Sequence, residues 1–109
     1  MKAHRTLMLM LGLGACTIAE ENAPEALADA WCHQQERCYR ADFDQQWDNQ
    51  AECVAEIEDF LEGVQDLYDL GDCEYDARAA AQVRGEINGA SCEEFAEGDL
   101  ELDAMYECG

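Results

Sequence analysis

Basic residues are almost missing from this sequence. Beyond position 5 it holds four arginines, Arg37, Arg40, Arg78 and Arg84, and no lysine. A chain without a basic patch has no means of holding nucleic acid or anionic headgroups by charge. Closely spaced cysteine pairs are missing too: Cys32, Cys38, Cys53, Cys73, Cys92 and Cys108 are separated by 5, 14, 19, 18 and 15 residues. Those spacings fit neither a C-x₂-C zinc ligand pair nor a C-x-x-C redox motif. Histidine is scarce. His33 adjoins Cys32, but neighbours on a helix point about 100° apart, so the two make a poor nucleophile and base. There is no internal repeat of 20 to 50 residues, no low-complexity tract and no strand-like alternation of useful length. No catalytic constellation emerges, no cofactor is implied, and the expectation is a protein that is not an enzyme.

Long apolar runs are limited to one, "TLMLMLGLG", which follows the basic start "MKAHR". It is too short to span a bilayer as a helix and suits the core of a secretory signal. Residues 1–15 are therefore set apart from the fold. "LGAC", Leu13 to Cys16, closes the run with small residues directly before a cysteine. It resembles a bacterial lipobox, in which the cysteine thiol receives a diacylglycerol and the signal is cut immediately before it. Parity agrees: without Cys16, seven cysteines become an even set of six, as a disulfide framework in an oxidising compartment requires. The alternative is conventional cleavage after "TIA" at Ala19, which also removes Cys16 and releases the protein. Thr17, in place of the aspartate that favours inner-membrane retention, points to the outer membrane. Residues 16–23, "CTIAEENA", read as a polar tether, with a reach of at most about 30 Å.

What is abundant is acid. Residues 16–109 carry all 26 acids against four arginines, a net charge of −22. Such a surface keeps a small exported domain soluble, and its natural counterparts are a basic protein or divalent cations. "DFDQQWDNQAEC" sets Asp42, Asp44 and Asp48 at positions 1, 3 and 7 of an EF-hand count, but Trp47 stands where glycine belongs and Cys53 where glutamate belongs. Asp99, Glu101 and Asp103 fail similarly at Ala104. Weak cation binding at Asp42, Asp44 and Asp48 is the most these patterns support.

Residues 24–109 read as one all-α domain, a small disulfide-stapled bundle of three main helices plus a short C-terminal helix. The first helix spans about 24 to 40, with Pro24 in its first turn, Asn22 as a cap, and Leu27, Trp31 and Cys38 on one stripe. "ADFDQQWDNQ" reads as a loop or single turn. The second helix, about 50 to 70, sets Cys53, Val54, Ile57, Phe60, Leu61, Val64, Leu67 and Tyr68 at spacings of three and four, and Gly71 stops it. A third, about 75 to 88, opens at Asp72 or Asp76 and is alanine-rich, which permits close helix approach. "SCEE" has the form of a capping box and opens a short helix near 92 to 97, and a further turn is expected near 100 to 106. The expected core is Leu27, Trp31, Ile57, Phe60, Leu61, Val64, Leu67, Val83 and Ile87. Trp47 either lids the turn between the first two helices or stands exposed as a contact residue, which makes it the candidate interaction residue.

On an intact helix Cys32 and Cys38 differ by about 120° in direction and about 9 Å in height, so each must staple the first helix to a different neighbour. The pairing that follows from an antiparallel hairpin is Cys32 with Cys92, Cys38 with Cys53, and Cys73 with Cys108. A rival keeps Cys38 with Cys53 and joins Cys92 to Cys108.

With the lipobox, "WCHQQERC", "AECVAEIEDF", "CEYDARAAA" and "SCEEF", the chain resembles the small six-cysteine lipoproteins found in many copies in myxobacteria. The chain departs from them near Val83, where many carry a further cysteine. The resemblance implies a membrane anchor and a disulfide-bonded helical domain, and contributes no activity or site. Three functions follow as expectations: a lipid-anchored, non-enzymatic envelope protein with a structural or interaction role; a weak divalent-cation-binding acidic protein; and a secreted inhibitor or toxin-like module.

Overall fold

The computed structural model describes residues 16–98 and 102–108. They form five helices: α1 (Ala23–Cys38), α2 (Arg40–Gln46), α3 (Gln50–Leu70), α4 (Ala77–Gly89) and α5 (Cys92–Glu97). Two 3₁₀ turns, Glu20–Asn22 and Leu102–Met105, and a two-residue antiparallel ladder of β1 (Glu74–Tyr75) with β2 (Tyr106–Glu107) complete the description. The fold is an all-α, disulfide-stapled bundle. Its centre is α1, on which both α3 and α4 pack.

Local chemistry accounts for most of the boundaries. Asn49 caps α3 by accepting from the Glu52 amide at 2.9 Å, and Asp76 caps α4 by accepting from the Arg78 and Ala79 amides at 3.0 Å each. Ser91 and Glu94 form the reciprocal capping box of α5. After α3 ends at Leu70, Gly71 bonds back to the last turn, and the left-handed residue is Asp72 at φ 59°. Aspartate tolerates that region better than most side chains. Asn22 does not cap α1. It already has helical dihedrals, because the preceding 3₁₀ turn runs straight into the helix, and its side chain makes no cap bond.

Between α1 and α3 the expected loop is a helix. Tyr39 breaks α1 two residues earlier than predicted, and α2 follows because Phe43 and Trp47, one turn apart, both bury against the Cys32–Cys53 disulfide. Arg40 adds exposed ion pairs to Glu36 at 3.8 Å and Asp44 at 3.5 Å, each worth little in water.

The three disulfides are Cys32–Cys53, Cys38–Cys92 and Cys73–Cys108. This corrects the expected pairing of Cys32 with Cys92 and Cys38 with Cys53, whose partners are exchanged. The reason is α2, which fills the space where a tight hairpin turn was expected. Gln50, at the start of α3, donates to the Cys32 carbonyl at 3.0 Å and to Glu36 at 2.8 Å. The first turn of α3 is therefore level with the middle of α1, which places Cys53 opposite Cys32. Cys38 lies beyond, at the end of α1, and meets the first residue of α5. Gln34 fixes that level by donating to the Ile87 and Ala90 carbonyls at 2.7 and 2.8 Å. As the helical geometry required, Cys32 and Cys38 staple α1 to different neighbours.

Buried residues fall into two clusters. One joins Ile18, Ala23, Leu27, Ala28, Leu61, Ala80, Val83 and Met105; the other is Cys32, Phe43, Trp47 and Cys53; Val54 and Ile57 pack against both. Ala28 and Ala80 are fully buried, which is the close approach of α1 and α4 that small side chains allow. The expected core is corrected at two positions, Phe60 and Leu67, which are 59% and 67% exposed. The apolar arc of α3 is wider than the surface α1 offers it, so one flank stays outside.

Candidate functional site

The residues picked out for metal and catalytic chemistry do not converge. Asp42 and Asp44 lie two positions apart on α2, about 200° around its axis, Asp44 faces Arg40, and Asp48 follows in the bend after the helix. The same expectation at Asp99 and Glu101 lies outside the described residues. Among the described residues no group of three or more His, Cys, Asp or Glu side chains could hold a metal ion. His33 is exposed beside Cys32, whose sulfur is bonded in a disulfide and offers no thiolate. Trp47 is corrected as a contact residue: it is buried, packs at a tilt against Phe43 with centroids 5.3 Å apart, and donates its indole N–H to Glu56 at 2.9 Å. Of its two expected roles it takes the lid.

The segment read as a tether belongs to the fold from Ile18 onward. Ile18 is buried at 6% exposure in the main core cluster. Its amide donates to the Ala77 carbonyl at 3.1 Å, and its carbonyl accepts from the Tyr75 hydroxyl at 2.6 Å. Tyr106 stacks on Tyr68 at 4.3 Å, packs edge-on to Tyr75 at 5.5 Å and donates to Glu20 at 3.3 Å. Burial, reinforced by neighbouring Glu20, pushes the Tyr75 and Tyr106 phenols up to about 12. The C-terminal segment that carries Tyr106 is held by the Cys73–Cys108 disulfide and the β1–β2 ladder. Cys16, exposed and outside all three disulfides, thus stands two residues from a docked chain.

An open aromatic cleft lies beside the second half of α1. Trp31, half-buried on α1, and Phe95, half-buried on α5, face each other at 5.9 Å between ring centroids, with Tyr39 6.2 Å from Phe95. On one side a hollow of about 660 Å³ opens toward α4, lined by Val83, Ile87, Glu86 and Glu94; on the other, one of about 510 Å³ opens toward α3, lined by Ile57, Phe60, Tyr39 and Asp42. Neither hollow has a basic residue in its lining among the described residues. Phe60 then leads out of the cleft onto α3, where Leu67 and Leu70, 67% and 81% exposed, continue an apolar flank. The walls are fixed by Cys38–Cys92, by Gln34, and by Arg37, which bonds Gln34 at 2.7 Å and the Ala90 carbonyl at 3.1 Å. The charged residues of its lining, Glu86, Glu94 and Asp42, are all acids. Elsewhere on α3, Glu58 is held above the ordinary carboxylate range by desolvation and by neighbouring Glu25 and Glu62.

No protein-family model, curated protein or solved structure matches the chain. Three site features escaped the sequence. Gln34 is a polar residue buried on α1, and only the apolar positions around it hinted at this. Ile18 sits among polar residues that read as linker. Trp31 fits the core stripe by spacing, and its half-exposure depends on where α5 stops.

Proposed function

We propose that this is a lipid-anchored, non-enzymatic protein of the bacterial cell envelope, whose acidic helical domain serves protein interaction. The observation that carries the anchor is the seating of Ile18. A cut after Ala19 would remove a residue built into the core and both of its backbone hydrogen bonds. A cut before Cys16 keeps them and leaves an exposed, unpaired cysteine to receive lipid. That asymmetry favours the lipobox over release as a secreted inhibitor or toxin-like module. The resemblance to small myxobacterial lipoproteins supports the same reading, and Thr17 favours the outer membrane.

With Ile18 docked, only Cys16 and Thr17 separate the acyl chains from the folded domain. The interaction role rests on the rigid aromatic cleft and the exposed flank of α3, an apolar surface in a chain otherwise crowded with acids. No specific observation favours the divalent-cation reading. Detergent-phase partitioning of the protein from its host envelope tests the anchor. The wild type is expected in the detergent phase and Cys16→Ala in the aqueous phase; a Cys16→Ala protein that stays with the membrane overturns it.

A further inference from the structure

Resting on the interaction reading above, we infer that the outer flank of α3 docks an amphipathic helix of a partner protein whose apolar seam is bordered by lysine and arginine. Among the described residues, Phe60, Leu67 and Leu70 are the exposed large apolar side chains, at 59%, 67% and 81%. With Gly63 they recur at steps of three, four and three residues, the spacing of a seam that faces another helix. The seam runs about 15 Å along α3. A β-carbon at Gly63 would meet nothing within 4 Å, so the backbone is open to close approach in the middle of the seam. Phe60 joins this flank to the aromatic cleft, where an end of the docked helix can insert a side chain.

Charge selects the occupant. Asp59 and Asp66, seven residues apart, lie along the outer edge of the seam, and α3 as a whole carries seven acids and no basic residue. A second copy packed on the same flank would set that acidic edge against its own copy, and like charges across an interface oppose pairing. A helix with lysine or arginine at the positions flanking its seam satisfies that edge while burying Phe60, Leu67 and Leu70. In coiled coils such edge positions choose the partner. The four arginines of the domain lie on α1, α2 and α4, so nothing within α3 neutralises the acidic edge.

The test uses the mature protein held in phosphatidylcholine nanodiscs, with empty nanodiscs as control. It is titrated with two helical peptides that share one leucine seam and differ only in flanks of lysine or glutamate. The lysine-flanked peptide is expected to bind at least about tenfold more tightly than the other, and to weaken as salt screens the acidic edge. Phe60→Ser/Leu67→Ser is expected to weaken that binding by about thirtyfold, the loss typical of interface anchors. Both positions are exposed, so the helical circular dichroism should be unchanged. Asp59→Asn/Asp66→Asn, which leaves the seam intact, is expected to lower the salt dependence. Equal binding of the two peptides, no binding of either, or binding unaffected by the seam variant overturns the inference. Self-association of the protein that the seam variant abolishes also overturns it, in favour of a second copy, and leaves an interaction surface standing.

Discussion

At the scale of single residues, the account turns on a few side chains that hold distant backbone. Gln34 is 1% exposed and spans α1 to the end of α4 through the Ile87 and Ala90 carbonyls. Gln34→Ala leaves both carbonyls and the Arg37 guanidinium short of a partner, and should lower unfolding free energy by about 2 kcal/mol. Denaturant melts at fixed m-value check this. Tyr75→Phe deletes the bond to the Ile18 carbonyl and keeps the ring, so it should cost about 1 kcal/mol. The same two phenols set an alkaline limit. Their folded values lie near 12 against the ordinary 10. The folded state therefore retains protons that the unfolded chain releases, and their contribution is complete below pH 10 and lost as pH rises toward 12. Phenolate absorbance should show Tyr75 and Tyr106 ionising above pH 10, together with unfolding.

At the scale of elements, legibility followed the strength of the local signal. The apolar period and the terminal glycine located α3, and the serine and glutamate three apart located α5, because those signals are made by residues within the element itself. The short α2 was not legible. Five polar residues around one Phe and one Ala read as loop, and the helix exists because Phe43 and Trp47 bury on a disulfide formed by residues outside it. Missing α2 also exchanged two disulfide partners, since it moves the start of α3 down the side of α1. The exposed flank of α3 was misread for the opposite reason: periodicity reports which residues are apolar, not how much of the arc a neighbour covers. If α2 depends on that burial, Phe43→Ala should cost about 3 to 5 kcal/mol and should expose the Phe43 to Trp47 turn to hydrogen exchange. A change confined to an exposed α2 position, such as Gln45→Ala, should stay within about 0.5 kcal/mol.

At the scale of the whole molecule, a small core is held by three cross-links under strong self-repulsion. The net charge of −20 opposes compaction, and Glu58 is raised by desolvation and then by its neighbours Glu25 and Glu62. Because the folded value of Glu58 is raised, the folded state binds its proton more readily than the unfolded chain does. Stability is therefore gained as pH falls through that range and lost as pH rises. The melting temperature should rise on going from pH 7 toward pH 5, and added salt at pH 7 should raise it as well by screening. Calorimetry at matched protein concentration reads both.

The same molecule-wide view ties fold to location. Ile18 makes the chain next to Cys16 part of the core, so on the proposed reading an anchor at Cys16 would meet the domain with almost no slack. The mass of the mature N-terminal peptide, isolated from the envelope of the native host, tests this most directly. The account predicts a peptide that begins at Cys16 and carries a diacylglycerol on its sulfur. A peptide that begins at Glu20, free of lipid, would contradict it.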